Sequence, residues 1–266
     1  MRPAPRWVLL LAGAGYVFLH LPVLVLVLFS FNASRYSVGW TGFTLDWYRA
    51  LAGRADLWRG LRASLIVGSL STVVAAGLGT LIALALTRYR FRGSATVSLL
   101  LVLPLTTPEV VLGSSLLSLF LDLGVRTGFA TIVVAHVMFS ISYVALTVRA
   151  RLRGFDWTLE EAAMDLGASP LRVFRTVTLP LIAPGVVAAA LLAFVLSLDD
   201  FIITLFNAGS EVTYPLYVYG ARRAAFPPQI NVMATALLLA SLLAAGAVTL
   251  YFRTAKVFAS TESPLR

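Results

Sequence analysis

"EEAAMDLGASPLRVFRTVTLP", residues 160 to 180, is a polar stretch punctuated by Gly and Pro in a chain that is otherwise mostly apolar. Its local signals describe two short helices. Thr158 followed by Glu161 has the S/T-x-x-E spacing of a capping box, which predicts a helix from about Leu159 to Leu166. Gly167 suits the left-handed position just past a helix end, Ser169 the cap of a second helix, and Pro170 its first turn, where a missing N–H leaves no partner wanting. Leu171, Phe174 and Val177 fall on one face of that second helix, Arg172 and Arg175 lie elsewhere, and Pro180 is expected to stop it.

Outward from this segment the chain reads as an all-α integral membrane protein. Of its 266 residues 59% are hydrophobic and 12% charged, with a mean hydropathy of +0.88, well outside the balance of a soluble domain. Six apolar runs, at about 7–31, 63–87, 96–120, 128–148, 182–206 and 231–252, are each long enough to cross a ~30 Å hydrocarbon core as a helix. The first follows Arg2 and Arg6 like a signal peptide. It is too long for that and no small-residue cleavage site follows, so it reads as a retained helix.

A net charge of +9 would fit a nucleic-acid partner, but the basic residues stand in short clusters beside apolar runs rather than along one solvated face, and no nucleic acid is expected. The clusters "RYRFR" (88–92) and "RARLR" (149–153) place both termini on the cytoplasmic side. Residues 149–181 are then the largest cytoplasmic loop. The implied division is an N-terminal helix with an external loop (1–60), a transmembrane domain (61–255) and a cytoplasmic tail (256–266). Cysteine is absent, which excludes disulfides, thiol catalysis and thiolate metal sites. Lys256 is the only lysine, so no Walker A phosphate loop exists and the chain binds no nucleotide cofactor of its own.

Charges within membrane helices ask for an explanation. Glu109 lies in "LPLTTPEVVLG", where Pro104 and Pro108 are expected to interrupt the third helix. Asp199 and Asp200 lie in "SLDDFIITLFNAG" on the fifth. Three carboxylates beside one path would favour a cationic substrate. Equally, each could accept hydrogen bonds from neighbouring helices, or the pair could pack an outer gate. Consecutive helix positions point about 100° apart, so one of Asp199 and Asp200 is expected to serve structure.

The loop resembles the E-A-A-x3-G-x9-I-x-L-P segment of permease subunits in binding-protein-dependent ABC importers. Glu161, Ala162, Ala163, Gly167, Leu179 and Pro180 match at every spacing, with Val177 in the isoleucine position. The resemblance implies the six-helix fold of type I importer permeases, with a coupling helix, Glu160 and Asp165 included, docked on a separate ATPase. Further similarity, in "PLTTPEVVLGSSLL", "SLDDFIITLF" and "TYPLYVYGARR" with "PPQINVMATALLL", is to the second permease subunits of spermidine and putrescine importers. It implies two copies of a cytoplasmic ATPase carrying ATP and Mg2+, a second homologous permease, an extracytoplasmic substrate-binding protein and a bacterial inner-membrane location. The chain itself would be non-catalytic.

A related importer for another solute is the nearest alternative, and a membrane-embedded enzyme or a channel the more distant ones. No H-E-x-x-H, G-x-S-x-G or paired-aspartate motif supports an enzyme. His20 and His136, isolated in apolar runs, read as packing or interhelical hydrogen-bonding residues rather than metal ligands. Trp40, Trp47, Tyr48 and Trp58 read as interfacial anchors or as a docking surface for the binding protein, and Asn231 as the cap of the last helix.

Overall fold

A computed structural model describes residues 5–35, 39–224, 227–243 and 246. Among these residues the regular structure is helical, with one isolated antiparallel bridge between Asn32 and Phe43. They divide into two compact units, one within 1–55 and 220–266, the other Asp56–Tyr219.

In the first unit, α1 (Arg6–Phe29) buries none of its residues within the chain. A helix apolar all round needs lipid or another protein to cover it. The segment after it folds around the fully buried Asn32. The Asn32 side chain donates to the Gly39 carbonyl (2.7 Å) and accepts from the Thr41 N–H (2.9 Å). Trp47 Nε1 donates to the Asn32 carbonyl, and the Tyr48 hydroxyl meets Ser30 Oγ. Two of the four expected anchors are thereby tied into the loop, whereas Trp40 stays exposed, as does Trp58 in the other unit. A short α2 (Asp46–Leu51) follows.

The second unit is built on α3 (Ala55–Arg88), α4 (Ser94–Thr106), α5 (Glu109–Asp122), α6 (Phe129–Leu152), α7 (Thr158–Asp165), α8 (Pro170–Val173), a π-helical turn (Phe174–Thr178), α9 (Leu179–Asp199) and α10 (Ile202–Asn207). Its main core joins three long helices through small and branched residues: Ala75, Ala83 and Leu84 of α3, Val144, Val148 and Leu152 of α6, and Ile182, Ala189 and Ala193 of α9. Small side chains at such seams let apolar helices approach closely where no hydrophobic drive separates helix from lipid. A second cluster packs Ala135 and Phe139 of α6 on Ile203 of α10, with Leu112 and Leu116 of α5 against it. α11 (Tyr214–Ala224) and α12 (Gln229–Leu243) complete the described helices.

Four helical runs are long and apolar enough to cross a membrane: α1, α3, α6 and the continuous stretch Pro170–Asp199. The third expected run is bent by 111° between α4 and α5 and makes a fifth span if counted as one. The break falls at Thr107 and Pro108, as expected of Pro108, whereas Pro104 stays inside α4 and does not interrupt it. Pro108 offers no N–H to the Pro104 carbonyl, and the turn ends with the Leu103 carbonyl accepting both the Thr107 N–H (3.0 Å) and the Thr107 hydroxyl (2.7 Å). The sixth expected run begins as α12. Its remainder and the tail 256–266 lie outside the described residues. Asn231 does not cap it, because α12 starts earlier, behind Pro227 and Pro228, whose fixed φ suits a first turn, and the Asn231 N–H donates to the Pro228 carbonyl (3.0 Å).

Pro180 does not stop the helix that contains it. The chain runs as one helix from Pro170 to Asp199. A proline inside a helix withholds a hydrogen bond and presses its ring on the carbonyl four residues back. The wider π-helical turn just before Leu179 relieves both demands, and Pro180 sits in the first turn of α9.

Candidate functional site

Two places in the second unit concentrate the polar chemistry. The first is a cavity of about 310 Å³ at the helix breaks, lined by Glu109, Asp199 and Asp200, by the aromatics Phe139, Tyr143 and Phe201, and by apolar residues of α5, α9 and α10. The three carboxylates singled out in the sequence therefore meet at one cavity, and among the described residues its lining includes no basic side chain.

Their settings differ. Glu109 is exposed and opens α5, where the unpaired N–H groups and dipole of a helix start favour a carboxylate. Asp199 is exposed as the last residue of α9. Asp200 follows, leaves the helix in an extended conformation, and turns inward with its side chain 5% exposed. Its Oδ2 accepts from the Thr204 N–H (2.8 Å) and hydroxyl (2.7 Å), pinning the start of α10, and lies 3.2 Å from His136 Nε2.

His136, buried on α6, joins the break to its neighbours: Nε2 also lies 2.9 Å from Thr204 Oγ1 and Nδ1 lies 2.6 Å from Ser197 Oγ. A carboxylate only accepts, so the contact with Asp200 calls for the proton on Nε2, leaving Nδ1 of a neutral ring to accept from Ser197. Of the two readings for this histidine, the interhelical hydrogen bond is the one the structure contains. Its link to a carboxylate was not legible, because nothing near residue 136 in the sequence points to residue 200.

The second place is the segment quoted at the outset. The expected capping box is not formed: α7 begins at Thr158 with no side-chain cap on its N-cap residue. Asp156 takes that role, its Oδ1 accepting from the Thr158 N–H (3.1 Å) and hydroxyl (2.7 Å). An ionised carboxylate is the stronger acceptor, so it draws the hydroxyl away from the backbone. These bonds hold the Asp156 carboxyl below the usual carboxylate range.

The end of α7 is as expected. Gly167 has φ +86°, its N–H donates to the Met164 carbonyl and the Ala168 N–H to the Ala163 carbonyl, the two crossed bonds of a Schellman ending. Ser169 occupies the next N-cap without a side-chain bond, with Pro170 at the first helical position. Beyond it Leu171 is 60% exposed, while Val173 and Thr178 are the buried positions, so the inward face is offset from the expected one.

Of the motif residues, Glu161, Ala162, Asp165 and Gly167 are exposed and Ala163 is half-buried; Leu179 and Pro180 are exposed in the first turn of α9. Around them Leu159, Met164, Leu166 and Leu171 leave apolar side chains uncovered, Leu166 at 91%. Glu160 is the exception at 2% exposure: its Oε2 pairs with Arg88 Nη1 at 2.7 Å and its Oε1 accepts from the Thr178 hydroxyl. Sequence reasoning grouped Glu160 with the exposed acids and Arg88 with the topology signals, and found neither the pair nor the roles of Asp156 and Thr178.

Residues 75–258 match the family described as the binding-protein-dependent transport system inner membrane component. The chain is 40% identical over 230 residues to the spermidine/putrescine transport system permease protein PotC of Escherichia coli (strain K12), covering 86% of this chain and 87% of the relative. It is 40% identical over 240 residues to the putrescine transport system permease protein PotI of the same organism, covering 87% and 85%. Among solved structures, a bacterial ABC transporter involved in import of the acidic polysaccharide alginate matches with a TM-score of 0.69 at 16% identity, over 91% of this chain and 94% of that one. An amino acid ABC transporter matches with a TM-score of 0.60 at 19% identity, over 80% and 100%.

Proposed function

We propose that this chain, which belongs to the binding-protein-dependent transport system inner membrane component family, is the permease subunit of an ABC importer whose substrate is a polyamine. The observation that carries the substrate class is the cavity shared by Glu109, Asp199 and Asp200. At an effective dielectric of ~20, a carboxylate and an ammonium group ~4 Å apart attract by about 4 kcal/mol before desolvation is subtracted. Aromatic faces such as those of Phe139, Tyr143 and Phe201 add to the attraction for cations. An anion would meet repulsion from all three carboxylates there. The names of the relatives PotC and PotI point to the same substrates.

Within that site Glu109 and Asp199 are the residues that meet the ammonium groups. Asp200, with its acceptor oxygen committed to Thr204 and His136, holds the helix break in shape. The chain delivers no chemistry of its own: energy comes from two copies of a cytoplasmic ATPase that bind ATP and Mg2+ and dock on the exposed surface of Glu161, Ala162, Asp165 and Leu166. A second, homologous permease subunit covers the apolar helices, and an extracytoplasmic binding protein presents the substrate. The whole resides in a bacterial inner membrane with the coupling segment and both termini in the cytoplasm.

The test is uptake by the assembled complex in proteoliposomes. Spermidine should accumulate with ATP and binding protein present, and a dicarboxylate should not. Uptake of the dicarboxylate in preference to spermidine would refute the substrate class and leave the family standing.

A further inference from the structure

The Glu160 carboxylate is nearly fully enclosed in the same segment whose other acids face outward, and both of its oxygens are engaged within the chain. Arg88, its partner, is the last residue of α3, where a cation suits the negative end of the helix dipole. The guanidinium also lies 5.6 Å from the centre of the Trp157 ring, and Trp157 with Phe155 packs on the core shared by α3, α6 and α9. Thr178, the other partner, is the final residue of the π-helical turn that leads into α9. One carboxylate thus fastens α7 to the end of one membrane-length helix and to the irregular turn at the start of another.

We propose that Glu160 is a positioning residue that carries movement of the coupling segment into α3 and α9 through the Arg88 ion pair and the Thr178 hydrogen bond, and makes no contact with the ATPase. The inference rests on the importer reading above. The Glu160 carboxylate is enclosed while the Arg88 side chain is 38% exposed, and the pair still favours one geometry, because parting them strands the buried charge of Glu160. The π-helical turn supplies the opposite property, since its irregular hydrogen bonding lets a helix bend or rotate locally. A rigid clip beside a pliable turn makes α7 push on α3 and α9 together when its outer face is displaced, whereas an unclipped α7 would move alone.

The experiment uses the complete complex, with both permeases, ATPase and binding protein, in proteoliposomes, and reads spermidine delivered per ATP hydrolysed. Glu160→Gln keeps the shape and an acceptor for Thr178 but removes the charge. The delivered ratio should fall about tenfold, the size of coupling usual for contacting charged residues, with the ATPase subunits still bound. Arg88→Lys should restore most of what Arg88→Gln loses. Combining Glu160→Gln with Arg88→Gln should cost no more than either alone. Thr178→Val, which alters no charge and little shape, provides a milder member of the series and should show a smaller fall in the same ratio. A parental ratio in Glu160→Gln and Thr178→Val, independent losses that multiply in the double variant, or release of the ATPase subunits by Glu160→Gln each overturns the proposal. If the unaltered complex moves no spermidine, it is the substrate reading that fails, and the ratio is then read with the solute it does carry.

Discussion

His136 Nε2 stands 3.2 Å from Asp200 Oδ2, joining the N-terminal third of α6 to the point where α9 gives way to α10, with both side chains buried. The break in the helix at Asp200 is held by this contact and by the two bonds from Thr204. Truncating His136 would leave Asp200 and Ser197 without a ring partner in an enclosed setting.

His136→Ala is therefore expected to lower stability by about 1–3 kcal/mol, the penalty for stranding a buried polar group. His136→Gln, whose amide can still donate toward Asp200, should lose less. Thermal denaturation of the purified complex in lipid nanodiscs, with unaltered chain as reference, measures both. Equal Tm for His136→Ala and the parent would mean that the contact contributes nothing.

The seam between α5 and α10 closes on Gly113. A Cβ built there would lie 2.8 Å from Phe206 Cδ2 and 3.3 Å from Ile203 Cα, so even a methyl group forces a shift. Gly113→Ala should be tolerated with loss, because the Phe206 ring can rotate. Gly113→Val should destabilise by about 1–3 kcal/mol as overpacked sites do, and should move α10 away from Glu109 and Asp199. The checks are Tm and the spacing of paired spin labels on α5 and α10. An unchanged spacing in Gly113→Val would contradict the packing described.

Gly167, at φ +86°, has open space around it, so strain there comes from the backbone alone. Gly167→Val should cost about 1 kcal/mol or more locally, since β-branched residues tolerate that conformation poorly. The Schellman ending should then be lost and α8 misdirected. Substrate-stimulated ATPase activity of the complex should fall while the chain still inserts in the membrane. Parental stimulation in Gly167→Val would separate this turn from coupling.

Asp156 gives a pH dependence of fixed sign. Its folded carboxyl is held below the ordinary range by the bonds from Thr158. Its contribution is therefore full above the unfolded value of about 3.9 and disappears as pH falls through the lower folded value. Amide exchange across 156–162, corrected for intrinsic rate, should show α7 protected equally at pH 5 and pH 7 and frayed only in stronger acid. Asp156→Ala should fray it at pH 7, and Asp156→Asn, which keeps an acceptor but not the charge, should fray it less than Ala does. Fraying that begins between pH 5 and 7 would point to a different group.

Local signals were legible where the chain settles its own geometry. Pro108 announced the break in the third run, though Pro104, read the same way, is carried inside α4, and Gly167 announced the turn after α7, because a missing N–H and a positive φ are properties of single residues. The acids Glu109, Asp199 and Asp200 stood out by their expense in an apolar setting, and the cavity brings them together. Their division of labour was hidden, since it depends on His136, which is distant in the chain. The same holds for Glu160: in the sequence it is one of four acids in a polar loop, and only the approach of α3 gives it Arg88. Two local readings failed to a stronger local competitor. Asp156 displaced the capping box predicted from Thr158 and Glu161, and the π-helical turn absorbed Pro180 where a stop was expected.

The central claim, that Glu109 and Asp199 draw a polycation through this chain, is tested most directly by spermidine flux in proteoliposomes normalised to assembled complex. Glu109→Gln and Asp199→Asn preserve size and hydrogen bonding while removing charge. Each should lower flux about tenfold or more, the equivalent of ~1.4 kcal/mol of lost attraction. Binding-protein docking should be unchanged, and the pair together should abolish concentration of the polyamine. Parental flux in the doubly neutral variant, with the complex intact, would show that the carboxylates shape the helix breaks alone and would contradict the account.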